Sequence, residues 1–293
     1  MCFLGHLIGY IPNIERLSVI FKDWMNLEVR SKSNIETLIK SNGNWFEKTH
    51  KTKSHTPVSF HGVPYMARSF NWQDMEWIAR NSENQEGPGP NIWSSNNVQI
   101  DENGHLHLKI SLSNEQWTCA EVYTPQKYGF GRYVWYVEGA VDKLDQKVVL
   151  GLFTYPTRDE GPDGTNEIDI EWSKWGQDDS NAINLSYTVY PRTEGSPSVS
   201  AKKKQDLNGT YTTNAFNWSP QGVKFQCYHG HTTDDQNKFF EWETPGSFAN
   251  VCPIAPVPIH MNLWIFQRIN PGAAPTNKQE VEVIIHKFTF VPQ

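Results

Sequence analysis

No stretch of the 293-residue chain approaches the roughly 18 uninterrupted apolar residues that a membrane-spanning helix needs, so no membrane partner is expected. Basic charge is also short. Lys and Arg number 26 against 32 Asp and Glu, a net charge of −6. Phosphate binding needs a dominant basic field, and a nucleic-acid partner is excluded on that ground. The one basic run, Lys202-Lys203-Lys204, reads as a solvated turn. Cysteines are few, and Cys2, Cys119, Cys227 and Cys252 lack the C-x-x-C spacing of a zinc or dithiol site. Cys119 is expected to be unpaired, since it falls inside a strand-forming segment with no cysteine near it in sequence. Cys227 and Cys252 leave two readings open, one disulfide or two buried thiols. The histidines show neither triad nor metal spacing. Residues 1–21 lack a basic leader and are interrupted by Pro12, Asn13, Glu15 and Arg16, so no signal peptide is legible. There is no internal repeat, and no long helical periodicity after residue 60, which disfavours parallel α/β folds.

What the chain does have is aromatic and turn residues. Aromatics make up 13%, with 12 Trp, beside 20 Gly and 18 Pro, a composition suited to many short strands and an aromatic-lined surface. Residues 1–62 form an N-terminal extension in which the spacing of Ser33 and Glu36, with Ile35, Leu38 and Ile39, predicts a short helix ending near Asn42-Gly43. Residues 63–293 read as one all-β domain. Strands are expected over 98–100 and 105–111 around the turn Asp101-Glu102-Asn103-Gly104, and then over 117–123, 131–141, 148–153, 166–172 and 182–190. Others follow over 215–218, 223–228, 239–242, 259–266 and 281–290.

The most informative segment is Asn166-Glu167-Ile168-Asp169-Ile170-Glu171-Trp172. In a strand, Ile168, Ile170 and Trp172 share an apolar face, while Glu167, Asp169 and Glu171 share the other. Three carboxylates so close repel unless a proton or a partner relieves them. An acidic strand edge or part of a calcium site would account for the pattern. So would glycoside hydrolysis, which needs one ionised and one protonated carboxyl facing the same bond.

This segment resembles the E-I-D-I-E signature of glycoside hydrolase family 16, the lichenase and laminarinase family. Similarity continues through Tyr128-Gly129-Phe130-Gly131-Arg132-Tyr133, Gly151-Leu152-Phe153-Thr154-Tyr155, Ala215-Phe216-Asn217-Trp218-Ser219-Pro220 and His260-Met261-Asn262-Leu263-Trp264, in the family's order over about residues 70–292. The resemblance implies an antiparallel β-jelly-roll sandwich with a concave substrate cleft. It makes Glu167 the nucleophile, Glu171 the general acid/base and Asp169 the residue that tunes them. One residue between Asp169 and Glu171 matches the unbulged lichenase type rather than the bulged laminarinase type. Glu171 is then expected to titrate high because of its neighbouring carboxylates, with hydrogen bonds keeping Glu167 ionised.

Sugars stack on aromatic rings while polar side chains fix their hydroxyls. The matched strand places Asn262 and Trp264 on the cleft face, and Glu121 resembles a substrate-contacting Glu. Tyr155, Trp175, Asn184 and Ser186 are further candidates, as are Asn91 and Trp93 at the rim. Trp72, Trp77, Trp117, Trp135, Trp218 and Trp242 are expected in the core. The chain departs from the lichenase branch in carrying Tyr123-Thr124 where that branch has an Arg, and Asn217 in place of an Asp. The expected function is a retaining, endo-acting hydrolase of a β-linked polysaccharide. The alternatives are a transglycosylase and a non-catalytic carbohydrate-binding module, and retention of both Glu residues favours catalysis. No cofactor is expected beyond a structural calcium that no residue set identifies. The resemblance implies a secreted or extracytoplasmic monomer whose partner is a polysaccharide.

Overall fold

In the segment Leu106–Ser113, Leu106, Leu108 and Ile110 are buried while the side chains between them are half-buried, so one face of the strand is set against a core. The same pattern recurs through the computed structural model, which describes residues 67–266 and 274–293. In chain order its strands are β1 (Arg68–Trp72), β2 (Met75–Ala79), β3 (Ile92–Trp93), β4 (Val98–Ile100), β5 (Leu106–Ser113), β6 (Gln116–Tyr128), β7 (Gly131–Glu138) and β8 (Val148–Thr154). They continue as β9 (Ile168–Trp172), β10 (Leu185–Val189), β11 (Val199–Lys203), β12 (Tyr211–Ser219), β13 (Gly222–His229), β14 (Lys238–Glu243), β15 (Val257–Ile265) and β16 (Val281–Pro292). The expected extension over 1–62 and its helix lie outside the described residues.

Hydrogen-bonded neighbours run in the order β11-β10-β9-β8-β15-β6-β5-β16-β7-β12-β13-β14. The first six strands make an inner sheet, extended beyond β6 by β2 and β1, and the last six make an outer sheet that β4 joins beside β5. Only the short β3, beside β6, pairs in parallel among the described strands. The two sheets face one another. Tyr187 of β10 stacks on Phe225 of β13 at 4.6 Å, and Trp172 of β9 donates its indole N–H to Asn214 Oδ1 of β12 at 2.9 Å. Each such aromatic pair adds about 0.5–1.5 kcal/mol beyond its buried area. This is the expected antiparallel sandwich, the jelly-roll architecture.

Turn chemistry explains which strands sequence reasoning finds. Asp101 Oδ1 accepts from the backbone N–H of Asn103 at 2.9 Å and of His105 at 2.7 Å, and Gly104 takes φ +80, so the β4–β5 hairpin carries its own signal. The β1–β2 hairpin carries none. Its two turn residues are Gln73 and Asp74 at φ +53 and +58, a left-handed pair without the glycine that usually marks one. β11 is an edge strand, and its polar sequence is what an edge permits. The lysine run is therefore not a turn. Lys202 and Lys203 belong to β11, where Lys203 Nζ donates to Phe239 O at 2.6 Å and lies over the Phe240 ring.

Trp72, Trp77, Trp135 and Trp218 are buried as expected, and Trp117 and Trp242, partly buried, pack against the core. Cys119, Cys227 and Cys252 are all free and buried, so the disulfide reading of the last two is set aside. Burial pushes the thiols of Cys119 and Cys227 up to about 12, which keeps them protonated and inert. Among the described residues no helix is long and apolar enough to cross a membrane.

Candidate active site

The segment entering β9 fixes the carboxylate row. Asn166 takes φ +51, a left-handed conformation that Asn tolerates, and its side-chain amide donates to Glu160 O at 2.7 Å. Glu167 follows directly, held in the ladder by Tyr190 N–H donating to its carbonyl at 2.9 Å. From there Ile168, Ile170 and Trp172 bury themselves in the core while Glu167, Asp169 and Glu171 line a cleft of about 400 Å³. β9 pairs with β8 and β10 without a register shift, so no bulge separates Asp169 from Glu171.

Register then dictates the surroundings. One cross-strand row reads Glu121, Asn262, Gly151, Glu171, Ser186 and Lys202, from β6 to β11. The adjacent row reads Tyr123, His260, Phe153, Asp169, Thr188 and Ser200. Gly151 is required by close approach, since a Cβ there would lie 2.5 Å from Asn262 Oδ1. That oxygen is buried and has no hydrogen-bond partner within the protein.

Burial is the first cause of every shift in the carboxyl trio. It pushes Glu167 up to about 8, with the charge of Glu171 adding, while a hydrogen bond with Asp169 pulls the other way. Glu171 rises to about 7 through burial, with Lys202 drawing it back. Asp169 goes well above the ordinary carboxyl range through burial and the charges of Glu167 and Glu171, so it keeps its proton and donates to Glu167. Glu171 thus rises as expected, but burial rather than its neighbours is the main reason. The expectation that hydrogen bonds keep Glu167 ionised fails, because the Asp169 bond does not offset burial.

Glu121 anchors the other end of its row. Arg80 donates to Glu121 Oε2 at 2.8 Å and to Glu86 at 2.8 Å, and its guanidinium lies 4.5 Å from the Trp93 ring. On the far side of Glu121, His260 Nδ1 is 3.0 Å from Oε1. The guanidinium that Tyr123-Thr124 does not provide on β6 reaches Glu121 from Arg80, just beyond β2.

The model of the glycosyl hydrolases family 16 matches residues 89–281. The chain belongs to that family. Among its relatives are the beta-glucanase of Bacillus amyloliquefaciens, 29% identical over 177 residues, and that of Bacillus licheniformis, 30% identical over 180 residues. Each match covers 59% of this chain, and 63% and 62% of the respective relatives, so the chain spans less than two thirds of their length. The solved Bacillus licheniformis beta-glucanase superposes with a TM-score of 0.56 at 22% identity, covering 77% of this chain and 98% of that one. A family 16 endo-glucanase from Bacteroides ovatus gives 0.56 at 14% identity, over 76% and 97%. At these identities the two structures speak for the fold.

Within the family 16 cleft, Glu121, Tyr155, Asn262 and Trp264 join the carboxyl trio along the lining. The other sequence candidates lie elsewhere. Asn91 is no rim contact: it is buried, and its amide donates to Pro88 O at 2.8 Å and Ile265 O at 2.9 Å. Trp93, 1% exposed, is a core residue beneath Arg80. Asn184 is turned inward, clamped on Asp142 O and Gln205 O at 2.9 and 2.8 Å, because β10 begins only at Leu185 and its alternation does not reach back to Asn184. Ser186 is buried between Glu171 and Lys202, its hydroxyl unpartnered, but does not line the cleft. Trp175 packs edge-on to Trp264 at 6.2 Å and is not among the residues that line the cleft.

Sequence reasoning misses Arg80, Phe153, Asp163 and His260, all of which line the cleft. His260 and Phe153 had a signal, since each alternates with a residue already assigned to the cleft face. Arg80 and Asp163 had none, being delivered by loops. Asp163 accepts from the Tyr155 hydroxyl at 2.6 Å. Among the described residues no group of three or more His, Cys, Asp or Glu side chains is arranged to hold a metal ion.

Proposed function

We propose that this family 16 chain is a retaining, endo-acting β-glucanase. The observation that carries the reading is the unbulged row Glu167, Asp169 and Glu171 on the floor of an open cleft, with every member's proton held above the ordinary carboxyl range. In the state that holds one proton between the pair, reached between about pH 7 and about pH 8, the ionised Glu167 attacks the anomeric carbon while the protonated Glu171 gives its proton to the leaving oxygen. Glu171, now ionised, takes a proton from the water that opens the glycosyl-enzyme. Asp169 keeps a proton directed at Glu167 and so favours its ionised form as the sugar arrives. The beta-glucanase relatives support a β-glucan as the polymer. A polymeric substrate of this kind supports an extracytoplasmic place of work, and the enzyme is proposed to act as a monomer.

The test is a panel of mixed-linked β-glucan, laminarin, xyloglucan, agarose and carrageenan with reducing-end readout, followed by NMR of the first anomer released. Cleavage of a β-glucan with β-configured product is the expected result. The Glu167→Ala variant should lose at least about 10⁴-fold in turnover, and azide should restore it as a glycosyl azide of inverted configuration. Inverted product from the unaltered enzyme, or full activity in Glu167→Ala, would overturn the mechanism.

A further inference from the structure

Glu121 is engaged on both oxygens by protein. Oε2 takes Arg80 and Oε1 faces His260, and the side chain is only 6% exposed. Burial alone would raise its pKa, but the contacts with His260 and Arg80 outweigh burial and hold it below the ordinary carboxylate range. An ionised carboxylate only accepts hydrogen bonds. The contact at Oε1 is therefore a donated Nδ1–H, which in the neutral ring leaves Nε2 with a free lone pair.

The His260 ring is fixed as well as polarised. It stacks on Tyr123 at 5.3 Å and on Phe153 at 5.0 Å, and meets Tyr155 edge-on at 5.9 Å. Swinging it away would break both stacks and the bond to Glu121. It lines the cleft, and its row places it two strand spacings, roughly 10 Å of backbone, from Asp169. A sugar lying across Phe153, beside the carboxyl trio, meets its edge.

We infer that His260 determines specificity in this cleft: Nε2 accepts a hydrogen bond from a sugar hydroxyl, and Glu121, backed by Arg80, is a positioning residue that acts through it. This rests on the glucanase reading and narrows it to glycans with a free hydroxyl on the sugar above Phe153. The contact that the resemblance assigned to Glu121 passes in this chain to His260.

Two amides separate the roles, since an Asn amide reaches about as far as Nδ1 and a Gln amide about as far as Nε2. Calorimetry with a tetrasaccharide cut from mixed-linked β-glucan is performed on Glu167→Ala, alone and combined with His260→Asn or His260→Gln. His260→Asn should weaken binding about tenfold, the equivalent of one lost hydrogen bond, and because both amides lose the same ring stacks, the difference between them reads the hydrogen bond alone. His260→Gln should bind within about threefold of the parent. In the unaltered protein, ¹⁵N NMR should show the His260 proton on Nδ1, with the Nε2 resonance moving when sugar binds. Unchanged affinity in His260→Asn, or a proton resident on Nε2 of the neutral ring, overturns the inference whether or not the enzyme is active. Tetrasaccharide binding with this pattern but without glucan cleavage by the unaltered protein sinks the glucanase reading and leaves His260 in place. Absence of tetrasaccharide binding overturns both.

Discussion

The carboxyl trio makes two demands on pH at the scale of single residues. Cleavage needs one proton shared between Glu167 and Glu171, whose values stand at about 8 and about 7. The profile of kcat/KM should therefore be bell-shaped, with limbs near those values and a maximum in the neutral to mildly alkaline range. A maximum below pH 5 would contradict it. The same burial sets a stability slope. Unfolded, each Glu ionises near 4.5, while folded it keeps its proton to about 8 or 7. The folded state thus binds more protons between those limits, and this contribution to stability falls as pH rises from about 4.5 to about 8. Glu167→Gln removes one such group. It should leave the melting temperature at pH 4 nearly unchanged and raise it at pH 8, as thermal melts at the two pH values would show. Equal effects at both would mean that packing, not charge, dominates.

Individual strands show what a sequence discloses and what it withholds. β9 is legible because Ile168, Ile170 and Trp172 alternate with carboxylates, and β5 because Leu106, Leu108 and Ile110 alternate with polar residues. The β1–β2 hairpin is not, since its left-handed turn is built from Gln73 and Asp74. Nor is Asn184, where periodicity extrapolated past Leu185 assigns a cleft face to a side chain that tertiary contacts turn inward. Strand alternation finds cleft residues carried by regular elements. It is blind to Arg80, which reaches Glu121 from a position 41 residues earlier in the chain. Register also gives a prediction at β8. Gly151→Ala would drive a methyl to 2.5 Å from Asn262 Oδ1, beside Glu171. The expected cost is about 1–3 kcal/mol of stability, with activity falling more steeply than stability as Asn262 is displaced. Unaltered kcat/KM in this variant would show that Asn262 is not held where substrate needs it.

At the scale of the molecule, three buried free thiols and one continuous hydrogen-bonded path among the described residues mark a domain held by packing and strand pairing, without a disulfide between those cysteines. A thiol reagent should leave Cys119, Cys227 and Cys252 unlabelled in the native protein and label all three in denaturant, and reductant should not move the melting temperature. Labelling of Cys227 under native conditions would show that the space between the sheets opens. The path has one further feature, the place of β16, which follows every other strand along the chain yet lies between β5 and β7. On a ribosome adding about 5–20 residues per second, the gap between β5 leaving and β16 leaving lasts roughly 10–35 s. From the departure of β15 until that of β16 the nascent chain holds two half-sheets with bare facing edges, and Leu106, Leu108 and Ile110 wait without Ile285, Val283 and Val281, their partners on β16. Wherever the chain folds, the edges of β5 and β7 stay open to pairing with another copy until β16 is in place, so the last strand to be made is the one that closes the outer sheet against self-association.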